Sequence, residues 1–346
     1  MNRREFLHPR HVANVAGPAF GIADELQTPA PSSASPTMLR FARRAMATTF
    51  EAILPFDAPS AHAAGSAALD EIDRLEDQLT VYRASSEVSR LNARAADQPV
   101  HVERNLFNLL ALAGRIHRET SGAFDISVGA LIKAWGFYQR QGRVPTRVER
   151  GEVQNRIGFQ HVVLDADRST VSYQRRGLEI NLGSIGKGYA LDRAAHIADT
   201  PNLLLHGGHS SVLALGNETP TQRGWTIGLT DPQRPERPRG LLHLCNRGMA
   251  TSAITYQQIE HEGRKLGHLL DPRTAWPAEG MLSATVTAPT AAEADALATA
   301  FFILGAEKAN TYCERHPDVG AALIAADAPG RMVLLGRARE EVEVLR

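Results

Sequence analysis

The chain has 346 residues, 43% hydrophobic and 22% charged, with 38 basic residues against 38 acidic ones. That is enough apolar material for one large core or two coupled ones, and the even charge balance gives no electrostatic reason to expect a nucleic-acid partner. No apolar run is long enough to span a bilayer, so no transmembrane segment is expected, and the two cysteines, Cys245 and Cys313, read as unpaired core thiols rather than a disulfide framework.

The first forty residues stand apart in composition. MNRREFL at the N-terminus has a twin-arginine look, which would imply export of a folded protein. The clean apolar region that should follow is interrupted by His8, Pro9, Arg10, His11, Pro18, Asp24 and Glu25. Residues 28–37, TPAPSSASPT, read as a disordered linker. Residues 1–40 are thus either a degenerate export signal or a disordered leader. Exported (periplasmic) and cytoplasmic locations both stay open, and residues 41–346 form the folded domain.

Helices are predicted over Ala61–Leu79 and Asn105–Thr120 from apolar residues at helical spacing, the second ending at Gly122. Strands are predicted at Thr48–Leu54, His161–Leu164, Leu178–Leu182, Leu203–His206, Val212–Leu215, Leu242–Cys245, Ala284–Thr287 and Ala321–Ile324. Strands follow one another across short turns as often as across helices. The pattern therefore predicts an α+β fold, antiparallel sheets packed with helices, rather than a doubly wound parallel sheet. No internal repeat is visible.

Two strings carry the chemistry. NLGSIGKGYALD (Asn181–Asp192) runs from the extended apolar stretch Leu178, Ile180, Leu182 into a predicted helix. Backbone N–H groups and the positive end of a helix dipole meet there, Lys187 adds a cation, and Gly183, Gly186 and Gly188 permit close approach, a local field suited to a phosphate. It is neither a Walker A loop, since Asn181 and Gly188 stand where Gly and Ser or Thr are needed, nor a dinucleotide fingerprint, whose third Gly falls on Leu191. A hundred residues on, EADALATAFFILG places Asp295 and Thr299 one helical turn apart on the same face. A carboxylate and a hydroxyl presented together are hard oxygen ligands of the kind Mg²⁺ accepts.

These strings appear in order with AMATTFEAILP (45–55), TVYRASSEVSRLN (80–92), TSGAFDISVGALIKAWGF (120–137), Ala250–Ser252 and HLLDPRT (268–274). Together they resemble the ApbE family, the FAD:protein FMN transferases, over about residues 41–336. The resemblance implies an ApbE/T-fold-like architecture, FAD as substrate, Mg²⁺, and transfer of FMN to a Ser or Thr hydroxyl of an acceptor protein with release of AMP. By the same resemblance Met46 and Tyr82 lie by the flavin, and Ala123, Phe124 and Asp125 contact the cofactor. Lys187 faces the pyrophosphate and Leu269 packs on the cofactor. Ser184 offers a backbone carbonyl to a metal shared with Asp295 and Thr299. His268 is the candidate acid–base residue, because imidazole titrates nearest neutrality. Trp135 and Phe137 read as wall, Asp271 and Arg273 as fixing the turn at Pro272. His206 and His209, flanking two glycines, read as a tight turn between strands rather than a zinc pair.

Four positions depart from the family pattern: Asn181 and Ile254 stand where it has Asp, Ala275 where it has Gly, and Gly267 where it has His. Asn keeps the hydrogen-bonding shape of Asp, so FAD binding at Asn181 is compatible with the change. Three readings share the one site: the FMN transferase, a flavin-binding protein without turnover, and a Mg²⁺-dependent FAD pyrophosphatase in which water replaces the protein hydroxyl.

Overall fold

The computed structural model describes residues 37–139, 141–219, 224–254 and 258–345, so the leader reading for residues 1–36 lies outside the described residues. Its centre is an eight-stranded, wholly antiparallel sheet. The elements in chain order begin with β1 (Met38–Ala45), β2 (Thr48–Pro55), α1 (Ala61–Leu79), α2 (Glu87–Arg94), β3 (Val100–His101), α3 (Arg104–Glu119), α4 (Gly129–Ala134) and α5 (Arg147–Gln154). Next come β4 (Val162–Asp165), β5 (Thr170–Tyr173), α6 (Gly186–Ala198), β6 (Leu203–Gly207), β7 (Ser211–Leu215), β8 (Trp225–Thr230), β9 (Pro238–Leu244) and β10 (Arg247–Ala253). The last are β11 (Gln258–His261), β12 (Arg264–Gly267), β13 (Leu270–Asp271), β14 (Trp276–Pro277), β15 (Met281–Ala288), α7 (Ala291–Arg315), β16 (Gly320–Ala325), β17 (Met332–Gly336), α8 (Ala338–Glu341) and β18 (Val342–Val344). The central strands run in the order β1-β2-β6-β7-β10-β15-β16-β17.

Strand alternation decides what covers each face of this sheet. Phe50, Ala52 and Leu54 of β2, Leu203 and Leu205 of β6, Leu213 of β7, Ala250 of β10 and Ala284 and Val286 of β15 join one cluster with the apolar faces of α1, α3, α6 and α7. Their neighbours Ile53, Leu204, Val212, Ala214, Met249 and Ala322 point the other way, against Trp225, Leu229, Leu242 and Leu244 of a three-stranded sheet in the order β18-β9-β8. The result is three layers: helices, large sheet, small sheet. The antiparallel α+β expectation holds.

A third, smaller cluster lies to one side. Leu131 from α4, Trp135 just after it, Phe137, Val153 and Ile157 pack there with Leu266, Leu270 and Ala275. It is the seat of the segment between β12 and β14.

The amphipathic helix predicted over 61–79 is realised end to end, burying Leu69, Ile72, Leu75 and Leu79. α3 ends as expected: Gly122, at φ 77°, donates its N–H back to the His117 carbonyl. One strand is corrected. Leu178–Leu182 is extended but forms no strand, having a single parallel bridge between Glu179 and Val128. Its backbone is held instead by a side chain: Asn92 donates Nδ2 to the Ile180 carbonyl at 2.9 Å and accepts the Ile180 N–H at 2.8 Å. Cys245 and Cys313 are unpaired, with only Cys313 buried; burial pushes its thiol up to about 11.

Candidate functional site

The two chemistry-bearing strings meet where α6 crosses the start of α7. Gly188, third residue of α6, is the point of closest approach. A Cβ there would lie 2.0 Å from the Ala291 carbonyl oxygen, which no side chain tolerates. Gly248 of β10 receives α7 from the other side, where a Cβ would fall 2.3 Å from Ala291 Cα. These two glycines let the first turn of α7 sit in the fold.

Asp192 fixes that turn. Its carboxylate accepts the N–H of Ala291 at 2.8 Å and of Ala292 at 2.9 Å, while Thr290 caps Glu293 N–H at 3.1 Å. Helix N-terminal donors need such acceptors, and a carboxylate also suits the positive end of the dipole. Burial pushes Asp192 up to about 7, against the two N–H bonds that favour its charged form. The alternation pattern gave no sign of this role, although Asp192 closes the GKGYALD string.

With α7 so placed, Asp295 is buried and bridges the two strings. Its Oδ2 accepts the Gly188 N–H at 3.1 Å, and its Oδ1 faces Lys187 Nζ at 3.6 Å and Ser211 Oγ at 3.5 Å. One turn later Thr299 Oγ1 lies 3.3 Å from Ser252 Oγ of β10. Ser184 is half-buried in the turn leading into α6, beside Lys187. Among the described residues no three His, Cys, Asp or Glu side chains gather in a metal cluster. A single carboxylate with hydroxyl and carbonyl oxygens fits Mg²⁺, which is commonly held by one or two carboxylates and completes its shell with substrate phosphates and water.

The remaining predicted residues lie on other elements. Met46 and Ala47 form the two-residue turn between β1 and β2, both with positive φ (48° and 63°), and Met46 packs on the main core. That turn adjoins the β6–β7 turn, where the Gly208 N–H donates to the Thr49 carbonyl, and Ser211 follows at once. Gly207 thus closes β6, and Gly208 opens the tight turn of residues 208–210. His206 lies 3.3 Å from Glu51 across the strand pair, and burial holds its imidazole below its ordinary range.

Asn181 donates its N–H to the Ile126 carbonyl at 2.7 Å, tying SGAFD to the α6 approach, and its Oδ1 accepts the Gly183 N–H at 2.9 Å. An aspartate would make the same turn. Ala123 and Phe124 are fully buried. Asp125 accepts the N–H groups of Ser127 at 2.7 Å and Phe159 at 3.0 Å and lies 3.3 Å from His117 Nδ1. Its carboxylate is thus tied into the fold through two backbone N–H groups. Tyr82, 66% exposed, stacks on Tyr138 with ring centroids 4.7 Å apart.

His268 follows β12 directly and is half-buried, as is Leu269, which packs on the main core. The turn beyond is built as expected: Asp271 accepts the Arg273 N–H at 2.9 Å and pairs with its guanidinium at 2.7 Å. Trp135 donates Nε1 to the Ala275 carbonyl at 3.1 Å and packs edge-on against Trp276, so the tryptophan of WGF supports the His268 segment. Two of the departures touch: a Cβ on Gly267 would lie 3.4 Å from Ile254 Cγ2. Here an apolar side chain lies over a glycine at these two positions.

The ApbE family model matches residues 46–324. The chain belongs to the ApbE family. It is 31% identical to an FAD:protein FMN transferase of Klebsiella pneumoniae over 258 residues, 73% of this chain and 79% of that one. It is 32% identical to the FAD:protein FMN transferase of Treponema pallidum over 284 residues, 75% of this chain and 78% of that one. The fold is similar to that of the ApbE protein of Thermotoga maritima, with a TM-score of 0.79 at 27% identity, covering 88% of this chain and 99% of that one. It is similar too to the apo form of Pseudomonas stutzeri flavinyl transferase ApbE, with a TM-score of 0.75 at 25% identity over 88% and 96% of the two chains.

Proposed function

We propose that this ApbE-family chain transfers FMN from FAD to a Ser or Thr hydroxyl of an acceptor protein, with release of AMP. The observation that carries this reading is the clamp at Asp295. A helix start that suits phosphate and a helix turn that suits Mg²⁺ are held together by the Gly188 N–H and by Lys187. When bound between Asp295, Thr299 and the Ser184 carbonyl, Mg²⁺ would neutralise charge on the pyrophosphate.

The residues of the chain have separate tasks. Lys187 and the N–H groups opening α6 bind and orient the diphosphate. Met46, Tyr82, Leu269 and the Ala123–Asp125 backbone hold the flavin and nucleotide. His268 takes the proton of the attacking hydroxyl. The new bond runs from that oxygen to the FMN phosphorus, and the bond from this phosphorus to the oxygen bridging to AMP breaks, so AMP leaves with the electron pair.

Incubation with FAD, Mg²⁺ and an acceptor bearing its Ser or Thr should give acceptor-bound FMN and AMP in equal amounts, with EDTA suppressing both. AMP and FMN free in solution at the same rate without acceptor would instead mark a pyrophosphatase, and FAD bound without AMP a flavin binder.

A further inference from the structure

The face of the large sheet that meets the helices is apolar by alternation. Ala250, Ala284, Val286 and Leu213 line it, and α7 answers with Ala291, Ala294, Ala298 and Phe302. Within this contact Ser211 and Ser252 are polar on the sheet side, and Asp295 and Thr299 on the helix side. They are matched one to one, Ser211 with Asp295 at 3.5 Å and Ser252 with Thr299 at 3.3 Å. Polar groups placed in an apolar interface are unfavourable unless each has a partner, so the matching is a designed feature of the packing rather than a surface accident.

The two pairs differ in consequence. The carboxylate has other anchors, since Asp295 Oδ2 already holds the Gly188 N–H. Thr299 Oγ1 is a hydroxyl, with one proton and two lone pairs. It can give a lone pair to a cation only if its proton points elsewhere. Ser252 Oγ, within hydrogen-bond reach, can accept it. The neighbouring residue on β10, Thr251, faces the opposite side of the sheet and pairs with Thr285 at 2.8 Å, so the strand offers this single hydroxyl towards Thr299.

We infer that Ser252 is a positioning residue for the cation site: by accepting the Thr299 proton it turns the Thr299 lone pair towards the metal. The inference rests on the reading of Asp295 and Thr299 as the metal pair, and it adds a residue from a different strand to that site. Partners of this kind, which orient a ligand without touching the metal, typically change affinity about 10- to 100-fold when removed.

The test is Mn²⁺ binding to the full chain in the presence of ADP, a diphosphate carrying no FMN to transfer, read by the electron paramagnetic resonance of free Mn²⁺. Ser252→Ala should weaken Mn²⁺ by about tenfold, and the melting temperature without metal should stay that of the wild type. Thr299→Ala should weaken it at least as much, and the double variant Ser252→Ala/Thr299→Ala no further than Thr299→Ala alone, because both act through one oxygen. Unchanged Mn²⁺ affinity in Ser252→Ala with a clear loss in Thr299→Ala overturns the inference alone. Unchanged affinity in both overturns the metal reading beneath it. Independent, additive losses would show that Ser252 acts on the cation without Thr299 and would overturn the proton-orienting role.

Discussion

The two halves of the proposed site are built to different standards of rigidity. The α6–α7 half lies in the main core: glycines at 188 and 248 let backbones touch, Asp192 caps one helix from the other, and Asp295 closes the clamp. The His268 half stands on the small side cluster, between two-residue strands β13 and β14 and the hairpin β11–β12, with Trp135 and Trp276 as its main support. Binding a diphosphate and a cation needs fixed charges, which a buried scaffold supplies. Admitting the hydroxyl of another protein needs an accessible wall, which a less embedded segment supplies. Damage to the first half should therefore reach stability and cation binding as well as transfer. Loss of the His268 side chain should reach transfer alone.

The largest effect should come from Asp295. Asp295→Ala removes the bridging carboxylate while the other proposed FAD contacts, spread over several segments, stay in place. Transfer should fall by about a thousandfold or more, the scale of several kcal/mol for lost charge stabilisation. FAD affinity, followed by flavin fluorescence, should fall far less. Transfer at the wild-type rate in Mg²⁺ would dismiss the metal assignment.

His268→Ala probes the other half. Transfer should drop by about a hundredfold, the usual scale for a general base, with FAD affinity and melting temperature little changed. If binding and transfer fall in parallel, His268 is part of the packing and the division between the halves fails.

Much of this architecture was legible in the sequence, and the illegible parts share a cause. α1 could be read end to end because its apolar residues repeat at helical spacing, and the shared helix face of Asp295 and Thr299 because they are four apart. The stretch Leu178–Leu182 has the alternation of a strand, yet its partners are the Asn92 amide and the Ile126 carbonyl, and a side chain standing in for a neighbouring strand leaves no periodic mark. Ser211 and Ser252 are ordinary strand hydroxyls until α7 is laid across them. Asp192 looked like the end of a motif and proved to be the cap of a helix a hundred residues away. Asp125 could be matched to a cofactor contact, but nothing local tells that Phe159 would claim one of its oxygens. Contacts across the chain, not spacing along it, decide these cases.

Asp192 also gives the rigid half a pH signature. Its carboxyl, ordinarily near 3.8, is raised to about 7 by burial. A folded-state value above the unfolded one contributes stability that is complete below the unfolded value and is lost as pH rises through the folded one. Relative to Asp192→Asn, which has no such titration, the wild type should lose about 2 kcal/mol of unfolding free energy between pH 5 and pH 8. Urea titrations of both proteins at the two pH values measure it, and parallel pH dependences would mean that the cap is ionised throughout.

The smallest effects are expected at the departures, and they fall unequally on the two halves. Asn181 lies on the approach to α6, where its Oδ1 already makes the turn bond to Gly183 that an aspartate would make. Asn181→Asp should thus leave the fold and FAD affinity unchanged and lower the Mg²⁺ needed for half-maximal AMP release by a few-fold at most, because a partly exposed charge is screened. Ile254 lies on the His268 side, packed on the core and over Gly267. A carboxylate placed there alone exchanges apolar contact for a desolvated charge, so Ile254→Asp should lower the melting temperature. Gly267→His added to it gives the new acid an imidazole partner and should recover part of that loss, a coupling that two unrelated sites would not show. The comparison is AMP release across Mg²⁺ concentrations, with melting curves, for the wild type, each single variant and the Ile254→Asp/Gly267→His pair. Strict additivity at 254 and 267 would mean that the two departures arose independently despite their contact. A wild type without AMP release beside an active Asn181→Asp variant would show that the lost carboxylate, not the rearranged pair, had silenced the site.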